Sequence, residues 1–198
     1  MLIQCFGNDS RQGTYALFIF LSNKLNLRFG NFLRGRHFSL DPGYYVYIGS
    51  ALGAKSSAMP VARRLLRHAS RSNGKPPHEV RGHMIRYFKE NKLAAADLQL
   101  PAGKKLHWHI DYLLDNLDTR IIKACIVRSP ARLENALSDL ALSLDETFVI
   151  APKLGAGDTK NSTHLLGIKN IDTFLPAFEE KIPALLSVHD NRVKRRTP

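Results

Sequence analysis

Two short runs rich in aromatic and β-branched residues, 14–21 (TYALFIFL) and 43–50 (GYYVYIGS), limit what this chain can fold into more than any other feature. Their composition is that of buried strands. The most apolar run, residues 15–21, is far shorter than the roughly 20 residues that a membrane-spanning helix needs. Between the two runs, residues 25–30 and 36–40 can pair as an extra hairpin. Asp41-Pro42-Gly43 then turns the chain, because proline presets φ and glycine tolerates positive φ.

Helical periodicity takes over after the second run. In residues 59–69 (MPVARRLLRHA), Val61, Leu65, Leu66 and Ala69 form one stripe, and Arg63, Arg64, Arg67 and His68 cover the remaining surface. Residues 78–92 read as a second basic helix and 107–117 (HWHIDYLLDNL) as an amphipathic third. Residues 130–144 read as a fourth, with Pro130 in its first turn. A strand over 121–127, a short strand over 163–168 and a C-terminal helix over 171–187, interrupted by Pro183, complete the pattern. Strands alternate with helices and no period repeats. The expectation is one α/β (α+β) domain over 1–189, with a small central mixed or antiparallel sheet flanked by helices. Residues 69–105 read as a basic helical insertion and 190–198 as a basic, disordered tail.

Charge then narrows the function classes. The chain carries 29 Lys and Arg against 17 Asp and Glu, a formal +12. Residues 63–105 hold 11 basic against 3 acidic side chains and residues 190–198 hold 4 against 1, so the rest of the chain is nearly neutral. A one-signed excess predicts attraction to polyanions, either nucleic acid or an anionic membrane surface. Arg63, Arg67, Arg71, Lys75, Arg81, Arg86, Lys89 and Lys92, interleaved with Tyr87 and Phe88, are the candidate phosphate-contacting residues. The bland alternative is a solvated helix face. Cys5 and Cys125 are too few for a disulfide framework and lack metal-site spacing, and the N-terminal residues show no secretory signal. Together these features predict a soluble cytoplasmic protein without a membrane partner.

Two constellations could carry chemistry. In the first, Tyr15 and Tyr47 stand on neighbouring strands and Arg64 and His68 lie one helical turn apart. The arginine's fork of donors suits phosphate oxygens, and a phenol can orient a water. The same tyrosines read equally as strand aromatics. In the second, His107, His109 and Asp111, with Asp158 and His164 further on, contain zinc-ligand residue types. On a helix, however, His107 and His109 face different ways, which favours buried hydrogen bonds by Asp111 and His109 over chelation.

The order Gly13-Thr14-Tyr15, Tyr47-Ile48-Gly49-Ser50-Ala51, Arg64-Leu65-Leu66-Arg67-His68 and a later helix with Glu134 resembles the GIY-YIG nuclease superfamily. With His107 to Leu113 (HWHIDYL), and with Gly155 to Asp158 followed by His164-Leu165, it is most similar to an uncharacterised branch sometimes fused to endonuclease-III-like DNA glycosylases. The resemblance spans residues 13–168. It implies a metal-dependent endonuclease using Mg²⁺ or Mn²⁺, acting on DNA rather than RNA, with DNA-repair proteins as partners; no base-reading element is evident in the sequence, so the expected specificity is for structure rather than sequence. It also implies roles. Tyr15 would be the general base or water-orienting phenol, and Tyr47 its partner. Arg64 would stabilise the pentacoordinate phosphate, His68 would assist by hydrogen bonding, and Glu134 would hold the metal. Two other classes stand beside this one: a non-catalytic nucleic-acid-binding module with the same fold, and a protein-interaction domain in which these residues are structural.

Overall fold

The computed structural model describes residues 1–53, 59–95, 98, 104–155 and 163–194. Its strands are β1 (Ile3–Gly7), β2 (Gly13–Leu21), β3 (Leu25–Arg28), β4 (His37–Leu40), β5 (Gly43–Ala51), β6 (Thr119–Arg128), β7 (Thr147–Val149) and β8 (Leu165–Ile168). Its helices are α1 (Pro60–His68), α2 (Val80–Glu90), α3 (His109–Leu114), α4 (Glu134–Leu142) and α5 (Ile171–Lys194). Six strands form one sheet in the order β1-β6-β2-β5-β8-β7, and β3 and β4 form a separate ribbon. Only the β1–β6 pairing is parallel, so the sheet is mixed and the fold is α+β.

The strand period of two assigns each side chain to a layer. On β2, Tyr15, Leu17, Ile19 and Leu21 enter one core, with Val61, Leu65 and Leu66 of α1, Met84 and Phe88 of α2, and Ile110 and Leu113 of α3. Ala16 and Phe18 enter the other, with Leu137 and Ala141 of α4 and Phe174, Phe178 and Ile182 of α5. The central strands are covered on both faces, which is why their sequences read as unbroken apolar runs.

Several elements differ from the sequence-based expectation, each for a local reason. Strand β1 has one buried side chain, Ile3, and β7 exposes Phe148 and Val149 at the sheet edge, so neither has a periodic signature. Helix α3 spans His109–Leu114; it starts at His109 rather than 107 because the Asp111 carboxylate accepts the His107 and Trp108 N–H groups (both 2.9 Å) and holds them as a cap outside the helix. Helix α5 passes through Pro176 and Pro183 without a break and runs to Lys194, into the stretch expected to be a disordered tail. Phe174, Phe178 and Ile182, four residues apart and fully or nearly fully buried, hold it to the sheet where the prolines remove hydrogen bonds. Within the stretch read as a basic insertion, Val80, Met84, Phe88 and Leu93 pack into the core. Among the described residues, no helix is long and apolar enough to cross a membrane.

Candidate active site

A cleft of about 390 Å³ opens at the end of β5, lined by Tyr47, Ser50, Leu52, Gly53, Arg64, Trp108, Arg132, Glu134, Gly155 and His164. Each residue of Gly13-Thr14-Tyr15 helps to build it. A Cβ on Gly13 would lie 2.4 Å from the Val127 carbonyl, so glycine permits the close approach of β2 to β6. The Thr14 hydroxyl accepts the Leu133 N–H (3.3 Å), fixing the chain at the start of α4, whose first residue is Glu134. Tyr15 pairs across the sheet with Gly49, and its ring lies where a Gly49 side chain would be.

That close approach carries a prediction. A Cβ on Gly49 would fall 2.6 Å from Tyr15 Oη and 2.8 Å from Cζ of a ring that is 1% exposed and has nowhere to go. Gly49→Ala should therefore destabilise the fold by about 1–3 kcal/mol through overpacking, and the Gly49→Ala/Tyr15→Phe double variant should recover part of that stability in a denaturant titration.

Tyr15 does not line the cleft. Its hydroxyl hydrogen-bonds His68 Nε2 (2.8 Å), and its ring forms a mutual cluster with those of Tyr47 and His68, with centroids 6.3 and 5.8 Å away and the latter two rings 5.8 Å from each other. Burial pushes its hydroxyl well above the ordinary value of 10, with the neighbouring Tyr47 adding to the shift, so it is a neutral phenol. Burial also lowers His68 to about 4, against the opposing pull of Asp111, and keeps it a neutral imidazole. The group expected to meet an attacking water thus stands behind Tyr47, which does line the cleft.

Arg64 lies over the Trp108 ring, 3.9 Å from its centroid, and Arg67 approaches the same ring at 4.1 Å. Among the described residues, Arg64 has no hydrogen bond or ion pair to a protein group, so its donors remain available at the cleft wall. Glu134 faces it from α4. Oε2 accepts the Ser50 hydroxyl (2.7 Å), Oε1 lies 3.3 Å from His164 Nδ1, and Arg132 is 3.8 Å away. Burial alone would raise this carboxyl, but the contacts with His164, Ser50 and Arg132 outweigh it and hold Glu134 below the ordinary carboxylate value. Tyr47, Arg64 and Glu134 therefore share one cleft, with Tyr15 and His68 behind it.

The family model described as a domain of unknown function, DUF123, matches residues 14–187, most of the chain and all of these positions. The chain belongs to this family. No curated protein and no solved structure matches it.

Within this family member the other sequence candidates divide by what they touch. Asp111 accepts two hydrogen bonds from Arg67 (2.7 and 2.8 Å), with Lys104 Nζ at 3.5 Å and His68 Nδ1 at 3.7 Å. His107 meets Asp111 through its backbone rather than its ring. His109 Nδ1 accepts the Gly155 N–H (3.3 Å) and its ring packs on Phe32. His107, His109 and Asp111 thus do not chelate together, and the described residues contain no group of three or more His, Cys, Asp or Glu that could hold a metal ion. Asp158 lies outside the described residues.

The basic candidates split as well. Arg67 points inward, Arg71 donates to the Asn116, Pro76 and Thr119 carbonyls, and Lys75 pairs with Asp115 at 2.6 Å. All three, expected from the sequence to meet phosphate, are engaged in contacts within the fold. Arg81 donates to the Ser70 hydroxyl (3.1 Å). Arg63, Arg86, Lys89 and Lys92 are exposed. Sequence reasoning missed Ser50, Trp108 and Arg132 as cleft residues. Ser50 directly follows Gly49 and Arg132 stands two before Glu134, so adjacency to the motif residues was the available signal.

Proposed function

We propose that this cleft is the active site of a metal-dependent endonuclease-like phosphodiesterase of the GIY-YIG type, acting on DNA in the cytoplasm with structure-directed rather than sequence-directed specificity. The observation that carries the reading is that an arginine with no hydrogen-bonding partner among the described residues, an ionised carboxylate and a tyrosine line one cleft of about 390 Å³. The two free cysteines fit a reducing compartment. The charged groups that line the cleft among the described residues, Arg64, Arg132 and Glu134, suit backbone phosphate and a cation, which favours recognition of backbone and shape.

Mg²⁺ or Mn²⁺ fits the donor set in one respect: hard cations of this kind take one or two carboxylates and keep several waters, and Glu134 supplies one ionised carboxylate on the wall. The bound ion would supply charge stabilisation at the phosphate and its leaving oxygen. Arg64 would offer a planar fork to the non-bridging oxygens as charge builds on them. Tyr47 would orient the attacking water, and Tyr15 with His68 would hold the Tyr47 ring in place from behind. Ser50 and His164 would keep the Glu134 carboxylate aimed and ionised.

The test is cleavage of duplex, flap and single-stranded DNA with Mg²⁺ or Mn²⁺, against a chelated control. Metal-dependent cleavage supports the proposal. Salt-sensitive binding without cleavage on every substrate favours the non-catalytic binding module, and absence of binding to DNA or RNA sinks both.

The gripping surface carries its own prediction. Because Arg86, Lys89 and Lys92 are exposed while Arg71 and Lys75 are engaged in the fold, the Arg86→Gln/Lys89→Gln/Lys92→Gln variant should flatten the salt dependence of DNA binding by about 0.9 in log–log slope for each phosphate that is no longer neutralised. The same change at Arg71 should instead lower the melting temperature.

A further inference from the structure

The segment HWHIDYL is not explained by cleft chemistry alone, since only Trp108 of it reaches the cleft. Asp111 is fully buried and is met by the Arg67 guanidinium, the Lys104 ammonium, His68 Nδ1 and two backbone N–H groups. From this carboxylate two chains of contact run to the cleft. One passes through Arg67 to the Trp108 ring and on to Arg64. Both guanidinium groups lie within about 4 Å of the ring centroid, so the indole is in contact with each of them. The other passes through His68 to the Tyr15 hydroxyl and so to the ring behind Tyr47.

We propose that Asp111 is the positioning residue of the cleft: through Arg67 and Trp108 it sets where the Arg64 guanidinium stands, and through His68 it sets which way the Tyr15 hydroxyl points. The inference rests on the endonuclease reading for its consequence in turnover, but not for its geometry. Arg64 leans on Trp108 and on no hydrogen-bonding protein group among the described residues, so its orientation depends on how firmly the indole is held. A carboxylate facing Nδ1 selects the imidazole tautomer with its proton there. Nε2 is then the acceptor, and Tyr15 donates to it. Only an ionised Asp can serve, because every group around it is a donor and a carboxylate is acceptor-only. An asparagine amide would turn an NH₂ toward one of those donors.

Trp108 is the only tryptophan in the chain, so its emission reports on its contacts with the two guanidinium groups directly. The experiment combines ¹⁵N NMR of the His68 ring, Trp108 fluorescence, and single-turnover cleavage for wild type, Asp111→Asn and Arg67→Lys. The expected results are a protonated Nδ1 on His68 in wild type and a shift toward the other tautomer in Asp111→Asn. Trp108 emission should change in both variants. In Asp111→Asn the cleavage rate should drop about 10²-fold while DNA affinity under chelation stays within about threefold, as for a misplaced catalytic group. A wild-type His68 protonated at Nε2 overturns the proposal, as does an Asp111→Asn protein with unchanged tautomer, emission and rate.

Should Asp111→Asn not fold, the wild-type tautomer and Arg67→Lys decide. Arg67→Lys keeps a cation for Asp111 but withdraws the planar group from the indole, and unchanged emission there overturns the proposal. Should wild type cleave nothing, the endonuclease reading fails, and the tautomer and emission still decide whether Asp111 positions the cleft.

Discussion

Between pH 6.5 and pH 4 the unfolding free energy should fall by about 1.4 kcal/mol per pH unit for each of two buried histidines. Burial foremost lowers His68 to about 4 and His78 to about 3, both from an ordinary 6.5. The unfolded chain takes up these protons as the pH drops below 6.5, whereas the folded chain refuses them until its own lower values are reached. Stability is therefore full above 6.5 and declines as the pH falls. The geometry explains the refusal at His78. Its Nε2 lies 2.9 Å from the Leu114 carbonyl and donates to it, while Nδ1 faces the Ile121 N–H and an Arg71 N–H, both at 3.3 Å. A second proton on Nδ1 would point at two donors. His68 stands among Asp111, Lys104 and Arg64, where the two cations oppose protonation and the carboxylate favours it. Below about pH 4 the decline should continue through Asp111, Asp115 and Glu134, whose carboxyls are all held below their ordinary values and must be protonated on unfolding. Urea titrations from pH 7 to 4 check the first phase, and His78→Gln should remove about half of its slope. A stability that stays level from pH 6.5 to 4.5 would contradict the burial assigned to both rings.

Those histidines also show how far the sequence could be read. Val61, Leu65 and Leu66 announce α1 by spacing, but that reading leaves His68 on the remaining surface, whereas it is fully buried, three residues on from Leu65 and seven from Val61. His78 sits in a stretch of polar composition, and its buried place comes from contacts with Leu114 and Ile121, more than 35 residues away in sequence, which no local pattern encodes. The strands β2, β5 and β6 are legible because tertiary burial on both faces of their central residues selects mostly apolar and aromatic side chains there. The edge strands β1 and β7 are defined by a neighbour rather than by their own side chains. The site divides in the same way. Arg64 and Glu134 lie on helices whose apolar stripes fix their direction, and Tyr47 on a strand whose partner faces inward. That Tyr15 stands behind Tyr47 follows from the ring crossing Gly49, a detail of cross-strand pairing. Arg67, Arg71 and Lys75 look identical to surface cations in a sequence, and only the carboxylates and carbonyls brought to them by α3 and its flanking loop reveal that they face inward.

Replacing Glu134 with Gln should lower metal-dependent cleavage about 10³-fold at fixed metal concentration while leaving the fold and chelated DNA binding intact. The amide keeps the shape and still offers an oxygen to Ser50 or His164, so the start of α4 should not shift. It lacks the negative charge by which Glu134 would hold a hard cation. Raising the metal concentration should therefore restore part of the rate in Glu134→Gln, because the deficit is in occupancy. Arg64→Ala should slow cleavage about 10²–10³-fold by a different route, since it removes donors from the developing charge on phosphate, and added metal should not rescue it. The two variants together separate roles that a single loss of activity would confound. Because removing a carboxylate also takes negative charge from a cleft that holds Arg64 and Arg132, chelated DNA binding by Glu134→Gln should be no weaker than wild type. Wild-type turnover by Glu134→Gln at limiting metal would remove Glu134 as the ligand. Rescue of Arg64→Ala by metal would move the arginine from the phosphate to the metal site.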